Sequence, residues 1–439
     1  MASLSQHPEV DSSVPHLPSH ARMGRLSLSM AWWAVCSAMF YIVVGASLAL
    51  AYGARNAIFG MLLSVLCYGL INAVISRYAM RTGLSVALFS RVLFGSLGAS
   101  LATLIFFSTA IYYAVFEGSV IAVALSHLYP GVSYSLAALL VVAYSVPLIF
   151  GGVQHWLDRF NGVLLPFYLF GLLAAVALSI GKYGYQPQWL DFGPAQPPAG
   201  GWWNCFSAYM GVWVLMMFTF DYARFGRPED ATWHGRWNFG MPFYLVTFLL
   251  NGMAGIYLAS SIPRDGALSE VTVLLAILKL MGLWGLLFVW VTQTRINTAN
   301  YYLATENMQA FFGEVFHLRA SRLVWALVVG AVVYALMLAD VFAWLLKALA
   351  WQGVFVVAWV GVALAHILGK VPSSSDEPAR LNGVGLAAWF CGALLGFALM
   401  EGGQSLQPFS APLTFLLSAG MYALLRRRRV ALPATTSGS

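Results

Sequence analysis

"YQPQWLDFGPAQPPAGGWW", residues 185–203, interrupts a nearly continuous series of apolar runs. Its prolines and glycines rule out a regular helix, and its tryptophans suit a membrane–water interface. Its position decides the fold. Five apolar runs precede it, at 30–52, 56–76, 97–125, 133–151 and 160–181. Five follow, at 202–220, 238–262, 283–308, 321–339 and 341–368, and two more lie at 383–401 and 408–425. At about 1.5 Å per residue, runs of about 20 residues cross a hydrocarbon layer of about 30 Å. Five is odd, so the second set enters the membrane from the opposite side. The two sets then form an inverted repeat, a recurrent build of secondary transporters whose site lies at the midplane.

Composition agrees. The chain of 439 residues is 60% hydrophobic and 9% charged, against about 25% charged in a soluble domain. The expected class is an all-α integral membrane protein with twelve transmembrane helices. Residues 1–25 read as a disordered cytoplasmic tail, 26–181 as the first five-helix repeat and 182–201 as an extracellular loop. Residues 202–368 read as the second, inverted repeat, 369–425 as helices 11 and 12, and 426–439 as a basic tail. The stretch 271–312 is too long for one crossing. It divides at Gly282 into an external amphipathic helix, with Lys279 on its wet side, and a spanning helix.

Seventeen of the 23 Lys and Arg fall in loops on the side of the N-terminus, four fall on the other side, and Arg295 and Lys347 lie inside spans. The asymmetry predicts a multi-pass protein of the inner (plasma) membrane with both termini cytoplasmic. The formal charge of +7 is therefore topological, and no nucleic-acid partner is expected. Cys36, Cys67, Cys205 and Cys391 stand singly in apolar runs, without metal-ligand or disulfide spacing.

Chemistry-bearing residues concentrate in three runs. The third carries Thr109, Tyr113 and Glu117, four apart and so on one helical face. A carboxylate at that depth costs several kcal/mol unless paired, hydrated or protonated, and marks a site or a structural pair. The eighth carries Thr292, Thr294, Arg295, Asn297, Thr298 and Asn300, a polar belt richer than helix packing needs. The sixth offers Gly211, a place for a helix break, then Trp213. At its cytoplasmic end Asp221 and Arg224 are spaced as an ion pair. His366 and Lys347 in the tenth are isolated, structural or interfacial groups.

Several segments carry a family resemblance. "RTGLSVALFSRVLFGSLGASL" (81–101) resembles a segment of the nucleobase–cation symporter-1 family, the cytosine, purine, uracil, allantoin and hydantoin permeases. "DYARF" (221–225), "CSAMFYIVVGA" (36–46), "TQTRINTANYYLA" (292–304) and "RFNGVLLPFYLF" (159–170) are similar to its spans 6, 1, 8 and 5. The likeness covers roughly residues 25–370.

It implies the leucine-transporter fold, with five-plus-five inverted repeats and broken spans 1 and 6. It further implies a flat heterocycle clamped between Tyr113 and Trp213, its polar edge bonded by Glu117 and Asn297. A sodium ion in sodium-coupled members would lie between carbonyls near Ala38 and Tyr41 and the hydroxyl of Thr292. Three departures follow. Tyr113 replaces the family's tryptophan, and Glu117 replaces its glutamine, which favours a donor-rich or cationic substrate edge. Val291 replaces one hydroxyl of the ion site, with Arg295 one turn on.

The reading is a cation-coupled symporter that imports a nucleobase or related small nitrogen heterocycle, with sodium or a proton as coupling ion and no other cofactor. Its alternatives are an amino-acid or amine transporter of the same fold, then a channel or a membrane-embedded enzyme. Its partners are the heterocycle and the lipid bilayer; oligomeric state is not fixed.

Overall fold

The computed structural model describes residues 22–150, 153–263, 271–339, 344–369 and 380–431. Both tails (1–21 and 432–439), Arg264, Lys370 and residues 341–343 of the expected tenth span lie outside them. Every described regular element is helical.

The first run forms α1 (Arg25–Trp33), a 3-10 turn (Ala34–Ser37) and α2 (Met39–Tyr52). Then come α3 (Ala54–Thr82), α4 (Val86–Leu128), α5 (Tyr134–Leu148) and α6 (Val153–Tyr183). The sixth run forms α7 (Gly201–Met210), a 3-10 turn (Gly211–Trp213) and α8 (Val214–Ala223). A mixed α and π stretch leads into α9 (Asn251–Ser261), followed by α10 (Thr272–Met281) and α11 (Leu283–Val315). The last four are α12 (Arg322–Met337), α13 (Leu345–Leu368), α14 (Gly383–Glu401) and α15 (Ser410–Ala431).

Helix occupies all twelve apolar runs. Among the described residues eight stretches are long and apolar enough to cross a bilayer alone, and α1 with α2, bent by 42°, makes a ninth. Of the other three runs, α5 and α12 are shorter, and α11 is an unbroken helix that carries the polar belt. α10 is separate from α11, turned at Gly282 with φ 55°, as the length argument requires.

Local sequence sets the ends. Ser85, Ser133 and Ser321 cap α4, α5 and α12 by accepting the amide three residues on. Gly95, at φ 83° and ψ 172°, divides α4. Only glycine takes that conformation cheaply, so residues 86–94 form a short helix before the long crossing.

Outward faces carry leucine and phenylalanine, among them Leu70, Leu140, Phe170, Leu173 and Leu394. That surface suits lipid and would aggregate in water. Inside, spans 1 and 7 approach backbone to backbone. A Cβ on Gly45 would meet the Gly252 backbone, and one on Gly255 would meet the Ile42 carbonyl. Such small-residue contacts are how helices associate where apolar burial gives no drive.

Candidate functional site

The bend in span 1 is the centre of the site. Ala38 is extended, at φ −65° and ψ 128°, which leaves carbonyls before it and amides after it without helical partners. Three distant polar side chains satisfy them. Asn251 Nδ2 donates to the Cys36 carbonyl at 2.8 Å. The Arg295 guanidinium donates to the Ala34 carbonyl at 3.1 Å and to Ser37 Oγ at 3.3 Å. The Gln293 amide reaches Met39 N, the first amide of α2.

Gln293 also touches Glu117. With its nitrogen turned to the carboxylate, it donates to Glu117 Oε2, and its oxygen accepts from Met39 N at 3.1 Å. Turned the other way, its oxygen faces the carboxyl and Met39 N (3.4 Å), and its nitrogen donates to Thr292 Oγ1 at 3.1 Å. The first orientation suits an ionised Glu117 and the second a protonated one, because a carboxylate only accepts and a carboxylic acid also donates. Arg295 does not pair with Glu117, and among the described residues no cation does. Among the described residues, the ionisable groups close enough to interact with Glu117 are the phenols of Tyr41, Tyr112, Tyr113 and Tyr168.

Asn297 is fully buried on α11, and neither its amide nitrogen nor its oxygen finds a partner. It stands beside Gly118, where a Cβ would come 3.6 Å from Asn297 Nδ2. The amide therefore looks across to α4 one residue from Glu117. An unsatisfied buried polar group costs about 1–3 kcal/mol, so such a group in a native structure calls for an explanation. Tyr113 sits one turn before Glu117, edge-on to Phe40 of α2 with centroids 5.0 Å apart.

Span 6 departs from expectation. Gly211 keeps helical angles, φ −59° and ψ −24°, and the span tightens to one 3-10 turn instead of unwinding. Gly353 of α13 packs against it; a Cβ there would fall 2.8 Å from Gly211 Cα. Tyr68 OH donates to the Val212 carbonyl at 2.7 Å, and Gln352 Nε2 to the Gly211 carbonyl at 3.3 Å. Trp213 packs edge-on between Tyr68 (6.0 Å) and Phe415 of α15 (5.2 Å). Among the described residues no ring contact joins it to Tyr113, as two rings that held a flat substrate between them would not touch either.

The residues assigned to sodium do not fit it well. Thr292 Oγ1 donates to the carbonyl of Phe288 in its own helix at 2.7 Å and has no hydroxyl neighbour at Val291. The Ala38 carbonyl accepts Tyr41 N at 3.3 Å, and the Tyr41 ring turns to Phe40 and Phe248. Arg295, one helical turn on, brings a fixed positive charge to the same bend, bonded to the Ala34 carbonyl, and a second cation there would meet like-charge repulsion.

Two other members of the polar belt are engaged in packing, and Asn300 Nδ2 is buried with no hydrogen-bond partner among the described residues. Thr298 Oγ1 donates back to the Thr294 carbonyl at 2.8 Å, and Thr294 Oγ1 bonds Tyr144 OH of α5 at 2.8 Å. Asp221 accepts Val86 N at 3.0 Å and also interacts electrostatically with Arg224. "DYARF" thus caps the helix that "TGLS" begins. Sequence reasoning passed over Gln293, Asn251 and Gln352. Their signal was an uncharged amide inside an apolar run.

No family model matches the chain, and no curated protein matches its sequence. Solved structures do. Mhp1, a nucleobase-cation-symport-1 family transporter in a closed conformation with bromovinylhydantoin bound, superposes with TM-score 0.70 at 14% identity, over 97% of this chain and 98% of that one. Its inward-facing conformation gives 0.71 at 13% identity, over 95% of each. The fold is that of Mhp1. A variant of the Eremococcus coleocola manganese transporter gives 0.59 at 14% identity, over 96% and 98%. A sodium-coupled sialic acid symporter gives 0.54 at 9%, over 92% and 90%. The leucine-transporter type of architecture is therefore established for this chain, and all these neighbours are transporters.

Proposed function

We propose that this protein is a secondary active symporter, with twelve crossings and both termini cytoplasmic, that imports a nucleobase or related small nitrogen heterocycle. The observation that carries the reading is the Asn297 amide, buried beside Gly118, which follows Glu117 in the chain, and without a hydrogen-bond partner among the described residues. One amide offers a donor and an acceptor together, which matches the alternating N–H and C=O edge of such rings. Glu117 accepts from ring N–H groups, and Tyr113 supplies an aromatic wall. Trp213, packed edge-on against Tyr68 and Phe415, is the second aromatic residue offered for that wall.

The coupling ion in this reading is the proton, carried by Glu117. Supporting it is the absence of a paired cation among the described residues. The Gln293 amide, which reaches both Glu117 and Met39 N, links the charge on span 3 to the hinge of span 1. An amine transporter of the same fold is the second reading, favoured by the same carboxylate, which would pair directly with an ammonium group.

A thermal-shift panel of nucleobases, hydantoins, amines and amino acids separates the two. A ligand at 100 times its Kd stabilises by about 2.7 kcal/mol, and Asn297→Asp should reorder the heterocycles. An unchanged ranking would make Asn297 interhelical packing. Uptake that needs sodium and ignores pH, in wild type and Glu117→Gln alike, would sink the proton.

A further inference from the structure

We infer that the Arg295 side chain is a built-in cation that does the work of a coupling sodium at the hinge of span 1. The inference rests on the transporter reading and adds what holds span 8 to span 1. α1 and its 3-10 turn end at Ser37, so their dipole presents partial negative charge to the bend. A mobile cation stabilises such an end only while bound. A guanidinium on α11 does so in every state that keeps Ala34 and Ser37 within its reach.

Four observations converge on that role. Arg295 is buried and donates to both Ala34 O and Ser37 Oγ. Ser37 Oγ is itself engaged, donating to the Ala34 carbonyl at 2.8 Å. Asn251 takes the Cys36 carbonyl. Thr292, the remaining hydroxyl of the expected ion site, is turned into its own helix. The oxygens that could form a cation cage are thus mostly bonded, and the positive charge they favour is already covalently present. A planar guanidinium with several fixed donors can also bridge two acceptors on a bent segment, which a point charge cannot.

Binding of radiolabelled sodium to the purified full-length protein, and its thermal stability in sodium chloride against choline chloride at equal ionic strength, form the test. Neither needs a substrate. Wild type should show no saturable sodium binding and the same melting temperature in both salts. Arg295→Lys keeps the charge but not the bridge and should retain only part of the uptake, while Arg295→Ala should lose about tenfold or more, as two buried acceptors lose their donor. The alanine variant should also become more stable in sodium than in choline, because the exposed carbonyl end then accepts a free cation.

Saturable sodium binding to wild type overturns the inference. So does an alanine variant matching wild type in uptake and in indifference to sodium. Should that variant not fold, the wild-type measurement decides alone. A panel in which no heterocycle binds defeats the substrate reading and leaves this result standing, whereas a nucleobase importer that needs sodium does the reverse.

Discussion

Spans 1 and 6 occupy matching places in the two repeats, yet only one is broken. Span 1 bends by 42° at an extended Ala38, and its freed backbone groups are held by Asn251, Gln293 and Arg295 from spans 7 and 8. Span 6 stays helical through Gly211, with Gly353 against its backbone and Tyr68 and Gln352 on its carbonyls. The partners correspond in part: span 7 supports span 1 through Asn251 as span 2 supports span 6 through Tyr68. The difference is charge. Span 1 faces Glu117 and Arg295 across one hinge, whereas span 6 meets phenols, an amide and aromatic rings. A bend held by ionisable and charge-assisted bonds can respond to a proton or substrate. A turn held by packing mainly keeps its shape.

If the contrast is right, span 6 substitutions should act on stability and span 1 substitutions on transport. Trp213→Ala should show the largest effect, about 3–5 kcal/mol of stability for a buried tryptophan, with substrate affinity nearly unchanged. Equilibrium binding and melting of the same preparation check it. A roughly thirtyfold affinity loss, about 2 kcal/mol, at unaltered stability would instead place Trp213 on the substrate.

Gln293→Leu comes next. It strands Met39 N and the Glu117 carboxyl together, and two buried groups at about 1–3 kcal/mol each should collapse concentrative uptake. Equal uptake at two external pH values by this variant and by wild type would separate the Gln293 bridge from coupling. Asn251→Leu leaves one stranded carbonyl, at Cys36. Its cost of about 1–3 kcal/mol should appear in uptake rate as well as in melting, since the carbonyl lies at the bend.

Tyr68→Phe is the smallest change. It removes one hydrogen bond, worth about 1 kcal/mol, and should lower the melting temperature with transport intact. A transport defect there, in a stably folded variant, would mean that span 6 is a working hinge after all.

Much of the site was legible because buried polarity is conspicuous in an apolar chain. Glu117, Arg295 and Asn297 stand out against runs of leucine and alanine, and the structure brings all three to the region of spans 1, 3 and 8. Gln293 was less visible, since an amide beside two threonines reads as part of a belt whose members differ only in direction. The packing of Trp213 was least legible. Which way Trp213 turns depends on Phe415, two hundred residues on, and on Gly353 pressing against Gly211.

The sequence by itself determined that this chain is an all-helical, multi-pass membrane protein, and which of its apolar runs carry ionisable groups. Those follow from hydropathy and length, which are additive along the chain and need no partner. Tertiary structure alone decided that Arg295 bonds the end of α1 and not Glu117, that Gln293 bridges Glu117 to α2, and that span 1 bends while span 6 does not. Each of these depends on which helix supplies a donor to a freed backbone group. That is a matter of distances of about 3 Å between residues hundreds of positions apart, which no local pattern encodes.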